Sequence, residues 1–315
     1  MPKAAILIGI NDYNVAPLTG CEADASALAE IISRNADHSA NFQTSLLLSS
    51  HGPVLKAHVA EAAECIFSIH ADAALFYFAG HGAHTGAGGF LVAQDATKYD
   101  LGLPMMQIVD AANRSTSSER IIILDCCHAG AVGELFGSLI DMPLKRGVSI
   151  LAACRKEQSA TERNGRGLFT SHICDALSGG AADVRGLVNV PGIYSYVDEV
   201  LTLHEPRPLL KANVSELVPI RRAAPAVADE KLRKLTTYFP KMTHQFQLDP
   251  SFEPTAQPDH PVNEAIFADL QQYRAARLLT PDGEEHMFYA AMNSKTFSLT
   301  PLGQHYWLRV QAGKI

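Results

Sequence analysis

The sequence has no Cys-x-x-Cys pair and no paired Cys/His spacing, although it holds six cysteines: Cys21, Cys65, Cys126, Cys127, Cys154 and Cys174. Neither a disulfide framework nor a structural zinc site is expected without such spacing. It also has no apolar run approaching the 18 or so residues of a membrane-spanning helix. The opening MPKAAILIGI carries one lysine and a short apolar run, and lacks the length and cleavage region of a secretory signal. A reduced, cytoplasmic chain with no membrane association is therefore expected. A basic surplus is missing too: 26 Lys and Arg stand against 33 Asp and Glu, for a net charge of −7. General nucleic-acid binding is not expected from that balance. Internal repeats and low-complexity segments are absent. With 315 residues, 47% of them hydrophobic and 19% charged, the chain has enough apolar material for one large or two ordinary domains, which excludes disorder.

Residues 1–222 alternate short apolar runs with helical periodicity. Strands are predicted at Ala4–Ile10, Thr44–Leu48, Ala74–Ala79, Phe90–Ala93, Ile121–Leu124 and Val148–Ala152. Helices are predicted at Glu22–Ser33, Val54–Ile69, Met105–Ala112, Leu168–Leu177 and Ile193–Leu203, with Leu209–Ala212 or Leu217–Ile220 closing the sheet. Runs such as Ile121–Leu124 lack polar alternation, the signature of a strand buried on both faces. The pattern therefore predicts an α/β fold with a mostly parallel sheet between helices. Residues 223–262, with prolines at 250, 254, 258 and 261, read as a linker or irregular arm. In residues 263–315 a helix at Glu264–Leu278 precedes a hairpin of Met287–Met292 with Thr296–Leu299. A last helix then starts at Thr300–Pro301. This small α+β module looks like part of a winged helix. Residues 226–315 carry nine basic and ten acidic residues, so the basic face of a DNA-binding winged helix is missing.

Two buried-type strands end abruptly in reactive residues. One is Leu75–Phe78 followed by Ala79, Gly80, His81 and Gly82; the other is Ile121–Leu124 followed by Asp125, Cys126, Cys127, His128, Ala129 and Gly130. In an open parallel sheet such ends border the crevice where chemistry takes place. A thiol becomes a useful nucleophile beside an imidazole, which lowers its pKa and later protonates a leaving amine. Either cysteine of the pair satisfies this pattern. His128, next to the pair in sequence, points the other way along an extended segment and is given a structural role, while His84 in a loop is uninformative.

These motifs resemble the caspase-like cysteine peptidases, in particular the metacaspase and bacterial caspase-domain branch, with their G-H-G and D-x-C-H-x-G segments. Leu18–Thr19–Gly20–Cys21–Glu22–Ala23–Asp24 is similar to the metacaspase L-x-G-C-x-N-D segment. Leu151–Arg155, Gln158–Ala160 and Gly167–Thr170 are similar to the next strand and helix. The His-to-Cys separation is close to the roughly 50 residues typical of caspases. The resemblance covers roughly residues 3–222 and implies a six-stranded caspase-like sheet. It makes Cys127, directly before His128, the nucleophile and His81 the general acid/base. The N–H groups of Gly82 and Cys127 become the oxyanion hole, and Cys126 a packed neighbour.

The resemblance further implies that Asp24 and Asp125, with Cys21, line a pocket for a substrate Arg or Lys. Two carboxylates attract a cation and reject an anion. Two departures stand out: Ala23 replaces the family Asn, and Ala79 replaces a frequent Ser. No cofactor is expected. Some metacaspases bind calcium near the loop holding Asp95 and Asp100, but no dense calcium-loop pattern is present here. Lys145 and Arg146, in the connection between the two halves of the sheet, are candidates for self-cleavage. Glu162–Gly167 is a flexible basic loop bordering the cleft. Cys65, Cys154 and Cys174 are assigned to the core. The implied activity is a cysteine endopeptidase acting on proteins or peptides. It is gated by its C-terminal region or a small-molecule activator and, by family analogy, serves in a bacterial stress or antiphage response. The competing reading is a catalytically silent caspase-fold ligand sensor or adaptor, against which intact His81 and Cys127 argue. The oligomeric state has no signature in the sequence.

Overall fold

The computed structural model describes residues 2–86, 88–127, 143–153, 167–201, 207–214 and 218–315, and at Cys127 the backbone. The chain divides into two compact units, Met1–Ala182 with Leu187–Ala223, and Asp183–Gly186 with Ala224–Ile315.

In chain order the first unit contains β1 (Lys3–Gly9), α1 (Cys21–Ser33), β2 (Phe42–Leu48), α2 (Lys56–Ser68), β3 (Ala73–Thr85), β4 (Gly88–Leu91), β5 (Leu103–Pro104) and α3 (Met105–Arg114). It continues with β6 (Glu119–Cys127), β7 (Val148–Ala152), α4 (Leu168–Asp175), β8 (Leu187–Val188), α5 (Val190–Val200), β9 (Leu209–Asn213) and β10 (Arg221–Arg222). The main sheet has the order β2-β1-β3-β6-β7-β9, and β4 and β5 extend it beside the end of β3. All neighbours along the main path are parallel except β9, which runs antiparallel to β7. The expected mostly parallel sheet between helices is therefore present, and of the two closing candidates Leu209–Ala212 takes the place.

Strand alternation sorts the apolar runs onto two faces. Phe76, Phe78, Ile122, Leu124 and Ile150 bury with residues of α2 and α3, whereas Leu75, Tyr77, Ile121, Ile123 and Leu151 bury with residues of α1, α4 and α5. Covering both faces makes the sequence continuously apolar. The α5 helix starts earlier than its periodicity suggests, because the Asn189 side chain accepts the Gly192 N–H (2.9 Å) and Pro191 sits in the first turn. Cys174 is buried, but Cys65 is exposed, which corrects its assignment to the core. The buried stripe of α2 is Val59, Ala62, Ala63, Ile66 and Phe67, and position 65 falls on the outer side. Cys154 lies outside the described residues.

The second unit contains α6 (Asp229–Arg233), α7 (Leu235–Tyr238), β11 (Phe246–Gln247), α8 (Pro261–Ala275), β12 (Leu279–Pro281), α9 (Met287–Met292), β13 (Thr296–Leu299) and α10 (Pro301–Gln311). Two expectations are corrected here. The segment 223–262 is not a linker: Val227, Leu232, Leu235, Phe239, Leu248 and Phe252 are buried in one cluster with Phe267, Leu270, Tyr273 and Trp307. Its prolines shape a short turn at Pro250–Phe252 and the first turn of α8 rather than an open chain. Nor is Met287–Met292 a hairpin strand. It is a helix with Ala290 and Ala291 buried, and β13 pairs instead with β12 and β11. Ala and Met favour helix, and the alternation of a strand is missing from MFYAAM. The last helix does start at Pro301, with Thr300 Oγ1 accepting the Gly303 N–H.

Asp269 is buried in this unit and accepts hydrogen bonds from Lys234 (2.7 Å) and Tyr238 (2.9 Å), with Lys231 at 3.1 Å. Burial pushes its carboxyl up, but the Lys234, Lys231 and Tyr238 contacts outweigh that and hold it below the usual range. A lowered carboxyl contributes stability above its unfolded pKa of about 3.9 and loses it as the pH falls through the folded value. Asp269→Asn is expected to destabilise the unit by about 2 kcal/mol at neutral pH. Denaturant titration followed by the fluorescence of Trp307, the only tryptophan, measures this, and the deficit should shrink in acid.

Candidate active site

The register of β3 against β6 pairs Gly80 with Cys126 and His81 with Cys127. Neighbouring strands lie about 4.8 Å apart, so the backbones of the two proposed catalytic residues are direct neighbours at the C-terminal ends of adjacent parallel strands. Gly82 follows, opposite Leu91 of β4. Cys126 is buried in the apolar cluster on the α2 and α3 side, as its role of packed neighbour requires. His128 lies outside the described residues, and His84 sits on β3 opposite Gly89.

Beside His81 lies the loop between β1 and α1. The His81 Nε2 is 2.6 Å from the carbonyl oxygen of Ala16. A carbonyl only accepts, so Nε2 carries the proton and Nδ1 is the accepting nitrogen of the neutral ring. Ala16 holds this position with φ of 56°, in the left-handed region. That conformation costs an alanine about 1–2 kcal/mol and marks the loop as shaped for the contact. The hydroxyl of Tyr13 accepts the His81 N–H (3.1 Å), and its ring lies 4.5 Å from the imidazole. Asn11 ties down the rest of the loop: its carbonyl accepts from Leu18, and its side-chain oxygen accepts the N–H groups of Cys21 (3.0 Å) and Glu22 (3.3 Å), capping α1. Gly9 permits that approach, because a Cβ there would stand 2.6 Å from the Cys21 carbonyl oxygen.

On the face of the sheet covered by α1, α4 and α5, Asp24 and Asp125 are only 3% and 4% exposed. Both oxygens of Asp24 accept the N–H of Gly167, which caps α4 (3.0 and 2.9 Å). Asp125 Oδ2 accepts the Thr170 hydroxyl (2.7 Å), which leaves Thr170 Oγ1 to accept from the Tyr77 hydroxyl (2.7 Å). Burial first, then the charges of Asp125 and Asp24, push the Tyr77 phenol well above its ordinary value. The two carboxylates thus converge on one buried phenol, and Cys21, half-buried at the start of α1, also acts on it. Tyr13, Ala16, Tyr77 and Thr170 carry none of the chemistry-bearing patterns legible in sequence. Thr170 falls within the Gly167–Thr170 segment and Tyr77 within the apolar run Leu75–Phe78, while Tyr13 and Ala16 fall in neither.

The remaining candidates lie apart from this site. The Lys145 N–H donates to Asn113 Oδ1 (2.8 Å), and the Arg146 carbonyl accepts from the Arg120 guanidinium (2.8 Å). The pair precedes β7, whose Val148 is in register with Arg120 near the start of β6. Cys127 is seven residues further along β6, about 23 Å away. In this arrangement the Lys145–Arg146 peptide lies away from Cys127, and these bonds would have to break before it served as a substrate. Asp95 accepts the Lys56 N–H (2.9 Å), and Asp100 pairs with the Lys56 ammonium (2.8 Å). Among the described residues no three His, Cys, Asp or Glu side chains group as a metal site, and no helix is long and apolar enough to cross a membrane. Of the Glu162–Gly167 loop only Gly167 is described.

Known proteins share this fold. Residues 2–205 match the family model of the caspase domain, Peptidase_C14. A structure from Geobacter sulfurreducens is similar over 71% of this chain and 98% of its own, with 14% identity and a TM-score of 0.52. Caspase-1 from Spodoptera frugiperda is similar over 70% of this chain and 91% of its own, with 13% identity and a TM-score of 0.50. No curated protein sequence is significantly similar. With His81 and Cys127 in register on adjacent strands of a caspase-type sheet, and with two thirds of the chain matching the family model, this protein belongs to the caspase-domain peptidases of the C14 family.

Proposed function

We propose that the first unit is a cysteine endopeptidase that cleaves proteins after Arg or Lys with a Cys127–His81 dyad. The observation that carries the reading is the register pairing of His81 with Cys127. Nδ1 of His81 takes the thiol proton, the Cys127 sulfur attacks the scissile carbonyl, and the imidazolium returns the proton to the leaving amine. Water then releases the acyl group by the same relay. The Ala16 carbonyl steadies the ring through Nε2. The amides of Gly82 and Cys127 are the proposed oxyanion donors, each contributing about 3 kcal/mol. Asp24, Asp125 and Cys21 form the proposed pocket for the basic side chain. Convergence of the two buried carboxylates near Tyr77 supports that assignment.

The test is hydrolysis of fluorogenic peptides ending in Arg, Lys or Asp, with Cys127→Ala as control. Release after Arg and Lys but not Asp is expected, and cleavage after Asp would reject the pocket. The same proposal gives the second unit a regulatory role, as a gate on an effector of bacterial stress or antiphage defence. A separately packed core outside the caspase domain supports such a role. Truncation after Ala223 should change the rate, and an unaltered rate rejects the gate.

A further inference from the structure

We propose that Tyr13 is a positioning residue for His81, holding its backbone through the phenol hydroxyl and its imidazole through the ring. The proposal rests on the reading of His81 as the proton relay. Three hydrogen bonds close a ring around His81. Its N–H donates to Tyr13 Oη (3.1 Å), that hydroxyl donates to the Val92 carbonyl (3.0 Å), and the Val92 N–H donates to the His81 carbonyl (3.0 Å). The Tyr13 ring then stands 4.5 Å from the imidazole at an interplanar angle of 55°. The Ala16 carbonyl holds Nε2, so one loop supplies both contacts to the ring.

Gly80 makes room for this arrangement. A Cβ at that position would lie 2.5 Å from Tyr13 Oη, so the hydroxyl occupies space that only glycine leaves open. The first glycine of the Gly80–His81–Gly82 motif thereby acquires a reason that does not involve substrate. Tyr13 is buried, and burial pushes its phenol up, so it remains a neutral donor throughout the range in which a cysteine dyad works. Val92 and Gly80 carry no charge. The titratable groups near the pair are Cys127, in register with His81, and Cys126 and Cys21, whose charges act on Tyr13. The Tyr13 hydroxyl thus sets where the relay stands, and the ring beside it packs against the imidazole.

Tyr13→Phe keeps the ring and loses the hydroxyl, while Tyr13→Leu loses both. With an Arg-ending fluorogenic peptide between pH 5 and 9, Tyr13→Phe is expected to lower kcat about tenfold with KM within about twofold, since sub-ångström misplacement of a reacting group is costly. Tyr13→Leu is expected to lower kcat about a hundredfold. Circular dichroism melting shows whether each variant folds, and Tyr13→Phe decides if Tyr13→Leu does not.

The rate of iodoacetamide labelling at the Cys127 peptide, with exposed Cys65 as internal control, reads the dyad without substrate. It should fall at least fivefold at pH 6 in Tyr13→Leu, because an unpaired thiol returns towards a pKa of about 8.5. Wild-type kcat in Tyr13→Phe, or unchanged labelling in a folded Tyr13→Leu, overturns the proposal. Full activity in His81→Ala would instead overturn the reading of His81 itself, whatever the Tyr13 variants do.

Discussion

Replacing Cys127 with alanine is expected to lower kcat on an Arg-ending peptide by about 10⁴-fold or more. The thiolate forms the covalent bond to the scissile carbonyl, and no neighbouring side chain substitutes for it. Cys126, its sequence neighbour, is buried in the apolar cluster with α2 and α3, so Cys126→Ala should stay within a few-fold of wild type. His81→Ala should match the loss in Cys127→Ala, and the double variant should be no slower than either single one. Residues that act as one unit lose their joint contribution at the first deletion. Initial rates of the three variants decide this. A dead Cys126→Ala beside an active Cys127→Ala would move the nucleophile by one position and contradict the motif assignment.

The second large effect is expected at Asp125. Asp125→Asn keeps the shape of the side chain and an oxygen that can still accept the Thr170 hydroxyl, but removes the charge. Truncating or neutralising one partner of a buried, hydrogen-bonded charge pair costs about 2–5 kcal/mol, and about 1.4 kcal/mol corresponds to a factor of ten. The expected fall in kcat/KM for Arg-ending peptides is therefore about 30- to 4,000-fold, with KM carrying much of it. A peptide ending in citrulline, neutral but of similar shape, should lose little. Asp24→Asn should behave in the same direction, since Asp24 lies as deeply buried and acts on the same phenol. Equal losses on Arg and citrulline peptides would show that Asp125 supports the fold or the dyad rather than the choice of substrate.

How much of this was legible in the sequence depends on the kind of interaction. Val148–Ala152 was readable to the residue, because a strand covered on both faces is apolar throughout and stops where cover stops. Ile121–Leu124 was found but cut short. The strand continues through Asp125, Cys126 and Cys127, and polar residues at a strand end look like a loop. Met287–Met292 reads as a strand because six apolar residues fit either element, but β13 pairs past it with β12 and with β11. The arm at 223–262 was misread because prolines and glycine-poor irregular chain resemble a linker until their apolar residues are seen to share a core.

The candidate site divides in the same way. Gly80–His81–Gly82 and Asp125–Cys126–Cys127 announce themselves because reactive residues at the end of an apolar run are rare without a task. Tyr13, Ala16, Tyr77 and Thr170 announce nothing, since a carbonyl oxygen belongs to every residue and a buried hydroxyl looks like packing. The sequence by itself determined the sheet, the thiol and the imidazole, as these are written in local periodicity and residue type. Only the tertiary structure decided that His81 stands in register with Cys127, that a strained alanine assigns the tautomer, and that Lys145 and Arg146 lie at the far end of the sheet. Those are relations between strands and loops distant along the chain. They are set by pairing and side-chain contact, which no local pattern of residues encodes.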